Sequence, residues 1–94
     1  MNVYEILQKS QEIIKERGTE RDLPGGERSM KRCVLAFNAL SSKNLSVEDG
    51  WRFLLLLKLS RQQEGKFKED DFFDALGYAA LLTEEALKNN GNES

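Results

Sequence analysis

Apolar residues recur along this chain at three- and four-residue spacing, the period of an α-helix, in four separate stretches. The first holds Val3, Ile6, Leu7, Ile13 and Ile14 with lysines and glutamates between them. It predicts a helix over about 3–17, capped by Asn2 and ended near Gly18. A polar stretch follows, and Pro24-Gly25-Gly26 is the strongest breaker in the chain. Met30, Cys33, Val34, Phe37, Ala39 and Leu40 predict a second helix over about 27–41. Ser46-Val47-Glu48-Asp49 has the pattern of a capping box, with acidic residues at the positive end of the helix dipole. The third helix then runs to about Gln62 or Gln63. Its segment Trp51 to Leu59 is apolar almost all round, which marks a central helix or one covered by a second subunit. Gly65 breaks it, and Phe72, Phe73, Leu76, Ala79, Ala80, Leu82 and Leu87 carry a fourth helix over about 69–88. No strand pattern and no internal repeat is present.

Short loops between antiparallel helices make a small all-α four-helix bundle the expected fold. Residues 1–88 would form one domain, with 89–94 a flexible polar tail. A chain of 94 residues builds only a modest core, so a homo-oligomer is expected.

Composition narrows the chemistry. There is no histidine and one cysteine, Cys33. An intrachain disulfide is excluded, as are zinc sites of the Cys/His type and His-activated nucleophiles. Cys33 sits among Met30, Val34 and Phe37, which reads as a buried apolar thiol. Any metal would be a hard cation such as Mg²⁺ on carboxylates. A net charge of −2 argues against nucleic acid as a partner. No stretch reaches the roughly 18 consecutive apolar residues of a spanning helix. The N-terminus also lacks the basic start of a signal peptide, so a cytoplasmic protein without a membrane partner is expected.

The candidate chemistry lies in polar residues set at helical spacing inside apolar segments. Lys58-x-x-Arg61 puts two cations one turn apart on the third helix, on the side that carries Trp51 and Leu54. Asp71-x-x-Asp74-x-x-x-Tyr78 puts two carboxylates and a phenol on one face of the fourth. With these helices antiparallel, Arg61 would meet Asp71 or Asp74. Charge inside a bundle must be paired or engaged with a ligand. Two readings therefore stand open: an interhelical salt-bridge cluster, or an anion or metal site. In the second, Lys58 and Arg61 grip phosphate, and Tyr78 contacts a base. The Gly25-Gly26 step before a helix start, with Arg28 and Lys31 one turn apart, is a further anion candidate or a plain solvated turn. Trp51 reads as core or interface.

These residues carry a resemblance. Ile13-Ile14-x-x-Arg17, Arg21-Asp22-Leu23-Pro24, Glu27-Arg28-Ser29-Met30, Ala36-Phe37-Asn38-Ala39-Leu40, Leu57-Lys58-Leu59-x-Arg61 and Asp71-x-x-Asp74-Ala75-x-Gly77-Tyr78-Ala79-Ala80 look like a group of small proteins of tailed bacteriophages and prophages. The likeness covers nearly the whole chain. The pattern is also distantly similar to MazG-like all-α nucleoside triphosphate pyrophosphohydrolases. Those bind Mg²⁺ through Glu-Glu-x-x-Glu on one helix and Glu-x-x-Asp on a later one. Asp71-x-x-Asp74 can stand for the later motif. The earlier motif is missing, and the second helix opens on Glu27-Arg28-Ser29-Met30-Lys31-Arg32, basic where those enzymes are acidic.

The resemblance implies a phage protein in the cytoplasm of an infected bacterium. It would bind a nucleotide-like small molecule without hydrolysis, through Arg17, Arg21, Arg28, Lys58, Arg61 and Tyr78 and with no cofactor, and could sequester a host defence signal. One alternative is a pyrophosphohydrolase, with Mg²⁺ on Asp71 and Asp74 and with Glu48 or Asp49 completing the shell. The other is an inhibitor that meets a host protein through Trp51 and Phe67 or through the acidic face of the fourth helix.

Overall fold

The computed structural model describes residues 1–21 and 29–91, with the side chains of 19–21 left aside. Four helices account for them, α1 (Val3–Arg21), α2 (Ser29–Ser41), α3 (Val47–Arg61) and α4 (Glu69–Asn89), and no strand is present among the described residues. The all-α expectation holds. Each boundary lies within a few residues of its predicted place, α1 running furthest beyond it.

Local signals explain the helix starts. The Asn2 side chain accepts from the Glu5 backbone at 2.9 Å, and the Glu5 carboxylate accepts from the Asn2 backbone at 3.0 Å. Ser46 and Asp49 close the same reciprocal box on α3, at 3.0 and 2.9 Å. Hydrogen bonds from Ser46, the backbone one first, hold the Asp49 carboxyl below its ordinary range. Between α2 and α3, the Asn38 amide clamps Leu45, donating to its carbonyl at 3.0 Å and accepting from its N–H at 2.9 Å. Between α3 and α4, Gly65 takes φ +66°, a left-handed turn that favours glycine.

α3 and α4 form an antiparallel hairpin, the most extensive contact in the molecule. Glu48 at the start of α3 accepts from Asn89 at the end of α4, and Gln62 past the end of α3 reaches the Asp71 carbonyl near the start of α4. α2 lies on α3, and α1 lies on α4. The core is small: Met30, Val34 and Trp51 are buried together, with Val47, Leu54, Tyr78, Leu81 and Leu82 packed around them. No large side chain among the described residues is completely buried. The helices thus surround a space as much as they fill one.

Gly50 sets the approach of α2. A Cβ built there would collide with the Met30 sulfur and lie 3.0 Å from Val34. α2 therefore meets α3 along a narrow Met30–Val34 edge, and the rest of its apolar face stays open. Phe37 and Leu40 are exposed. So is Cys33, which corrects the expectation of a buried thiol.

Candidate functional site

The polar stripes of α3 and α4 do meet, through Lys58. Trp51 and Lys58 are seven residues apart, two helical turns, so both point toward α4. Lys58 Nζ lies 2.9 Å from Asp74 Oδ2 and 3.9 Å from Asp71 Oδ1. The second cation on Asp74 comes from α1: Arg17 Nη1 donates to Asp74 Oδ1 at 2.8 Å. Asp74 is only 13 % exposed and Lys58 15 %, whereas Arg17 is 57 % exposed. Two carboxylates and two cations thus form one balanced network.

Burial by itself pushes the Asp74 carboxyl up. Hydrogen bonds from Lys58 and Arg17, with their charges, outweigh it and hold the group below the usual carboxylate range. The hydrogen bond to Asp74 likewise raises the Arg17 guanidinium, against a smaller opposing effect of burial.

Above this network lies a cavity of about 320 Å³ reached by all four helices. Its charged lining is Arg17 and Asp74; its aromatic lining is Trp51, Tyr78 and Phe73. Trp51 and Tyr78 stack with ring centroids 6.1 Å apart and planes 27° from parallel. Ile13, Ile14, Met30, Leu54 and Leu81 supply apolar walls, and Cys33 and Gly77 complete the edge. The volume lies at the lower end of the range for small-molecule sites, about 300–1,000 Å³.

Of the predicted site residues, Arg17, Asp74 and Tyr78 share this cavity, and Lys58 and Asp71 stand behind it through the ion pairs. Arg61 is exposed at the end of α3, outside the cavity lining, and makes no ion pair with Asp71 or Asp74. The expectation that it meets them is corrected: Arg61 lies about 80° round α3 from Trp51, at the edge of the face of Lys58, and Gln62 beside it takes the place opposite Asp71. The Arg21 side chain, Arg28 and the Pro24-Gly25-Gly26 turn lie outside the described residues. Glu48 and Asp49 are at the far end of the α3–α4 hairpin from Asp74, where Arg52 pairs with both, so neither completes a shell with it. No group of three or more His, Cys, Asp or Glu residues placed to hold a metal ion occurs among the described residues. Trp51 is buried, so it offers no surface to a protein partner, whereas Phe67 is exposed. Missing from the sequence reading was the cavity itself, with Met30, Ile13 and Ile14 as its walls. Their helical spacing marked them only as core.

A small all-α protein results, in which a charged network between three helices supports an aromatic-floored cavity. The chain belongs to the family of a domain of unknown function, DUF6378, whose model matches residues 5–86. No curated protein and no solved structure matches it. No helix among the described residues is long and apolar enough to cross a membrane.

Proposed function

We propose that this protein binds a nucleotide-like anion in the cavity between its helices and does not hydrolyse it. The observation that carries this reading is Arg17 at the rim of a space floored by Trp51 and Tyr78. An aromatic floor with apolar walls suits a flat heterocycle. A guanidinium at the edge suits a phosphate, which it can hold through two parallel hydrogen bonds. Asp74 engages Nη1 of Arg17, and a guanidinium carries five N–H donors, so the aspartate can aim the arginine without exhausting it. Lys58 takes the other oxygen of Asp74 and is a supporting group in this reading, not a phosphate ligand.

Binding without hydrolysis is supported by the state of Asp74. A carboxylate engaged by two cations is a poor ligand for a third. The likeness to small phage proteins suggests the setting. In the cytoplasm of an infected bacterium, such a binder would sequester a nucleotide signal of the host.

Trp51 is the chain's single tryptophan and lines the cavity, so its fluorescence reports occupancy directly. Titration with nucleoside mono-, di- and triphosphates and cyclic nucleotides, followed by fluorescence and calorimetry, should give saturable binding for at least one class. Arg17→Ala should weaken it by roughly tenfold or more, the scale of a charge-assisted phosphate contact. Silence across the panel in both measurements would overturn the reading. Pyrophosphate release with Mg²⁺ or Mn²⁺, abolished by Asp74→Asn, would establish the hydrolase instead.

A further inference from the structure

We propose that α3 pairs two copies of this chain, antiparallel, through its outer ridge Asp49–Phe53–Leu57–Arg61. These four residues are spaced by four and form one continuous ridge of the helix. Phe53 is 65 % exposed and Leu57 42 %, and the adjacent Leu56 is exposed as well. At about 100° per residue, Asp49, Phe53 and Leu57 lie about 120–160° round α3 from Trp51, which stacks on Tyr78 of α4, and the ridge comes round to Arg61 about 80° from it. Among the described residues α2 touches α3 around Gly50, Trp51 and Leu54, while Phe53 and Leu57 stay exposed.

The order of residues selects the occupant. The ridge is acid, aromatic, aliphatic, base, and it is symmetric about position 55. A two-fold axis there sets Phe53 against the partner's Leu57 and Asp49 against the partner's Arg61, twice over. Such a surface is self-complementary, as an isologous contact requires. Parallel pairing would set aspartate on aspartate and arginine on arginine, and the repulsion excludes it. Arg61 suits the role: it is exposed and makes no ion pair among the described residues. Asp49 keeps part of its carboxylate toward solvent while Arg52 and Ser46 hold it. A second copy also accounts for an apolar segment that runs all round one helix, since α4 covers one side and the partner covers the other.

The inference does not depend on the ligand. Sedimentation equilibrium of the full chain at concentrations up to the order of 100 µM should show a species of twice the 10.7 kDa chain mass. Leu57→Glu should raise the dissociation constant at least about tenfold with helicity by circular dichroism unchanged. Arg61→Glu, at an exposed position, should raise it several-fold, with the effect shrinking at high salt. Leu87→Glu, an exposed leucine on α4, should leave the dimer intact. A monomeric wild type would overturn the proposal. So would a dimer untouched by both ridge variants, or one dissociated by Leu87→Glu alone.

Discussion

Arg17 and Asp74 are 57 residues apart in sequence and 2.8 Å apart in space. Their contact ties α1 to the α3–α4 hairpin at the edge of the cavity. Lys9 adds a second tie, at 2.6 Å from Glu69 with its ammonium 4.9 Å from the Phe73 ring centroid, but both members of that ion pair are well exposed. Surface pairs contribute about 0–1 kcal/mol. Asp74, shared with Lys58 and more deeply set, makes the Arg17 contact the stronger of the two ties, beside the packing of Ile14 on Gly77.

That network should be visible in acid. The folded Asp74 carboxyl titrates below its unfolded value of 3.8. Its contribution is then fully present above the unfolded value and is lost as pH falls through the folded one. Asp74→Asn should cost about 2 kcal/mol at pH 7, because two cations lose their shared partner. Urea midpoints of the two proteins should converge as the pH is lowered below 3.8. A constant gap across the whole range would show that Asp74 makes no protonation-linked contribution.

Lys58 is the keystone of the carboxylate pair. Lys58→Met leaves Asp71 and Asp74 one turn apart with Arg17 alone to compensate. The expected loss is about 2 kcal/mol. Lys58→Met with Asp74→Leu should recover most of it, since a well-packed apolar pair can replace a buried ion pair. A double-mutant cycle in urea gives the coupling, expected at about 1–3 kcal/mol. Strict additivity would mean the 2.9 Å contact carries no energy.

The α3 cap should be measurable alone. Ser46→Ala removes the acceptor for the Asp49 N–H and half of the reciprocal box. About 1 kcal/mol should be lost. In a chain of this size that is a fall in Tm of about 4–8 °C by calorimetry.

The sequence carried the helices well and the site only in part. Ser46-x-x-Asp49, Gly65 and the apolar periods are local signals, and local signals place helix ends. The polar stripes Lys58-x-x-Arg61 and Asp71-x-x-Asp74 are legible in the sequence, but spacing alone leaves open whether they pair or form a site, and the structure makes the contact through Lys58. One-turn spacing does put Arg61 at the edge of the face of Lys58, but it does not show that Gln62, the next residue, sits closer to α4 and takes the place opposite Asp71. Cys33 shares the apolar period of α2, but how much of that face is covered depends on how α2 meets α3, and Gly50 sets that approach. Arg17 was named as a phosphate ligand while its partner, Asp74, went unseen. No local pattern says which of several arginines on α1 and beyond will reach a helix more than fifty residues away.

Two glycines should respond in opposite ways to the same change. Alanine favours a helix interior over glycine by about 0.8–1 kcal/mol at both positions. At Gly50 the new methyl meets the Met30 sulfur and comes within 3.0 Å of Val34, both buried side chains of α2. Overpacking of about 1–3 kcal/mol should outweigh the propensity gain, so Gly50→Ala is expected to destabilise by about 1 kcal/mol. At Gly77 the nearest atom is Ile14 Cγ1 at 3.7 Å, an ordinary contact. Gly77→Ala should therefore stabilise by about 0.5–1 kcal/mol. Gly77 also lines the cavity, so its methyl narrows the space between Ile14 and the aromatic floor. The variant should melt later, and the nucleotide-like ligand proposed for this cavity should bind it more weakly, by about three- to tenfold if one methyl must be accommodated. Higher stability with unchanged affinity would place the ligand away from this cavity.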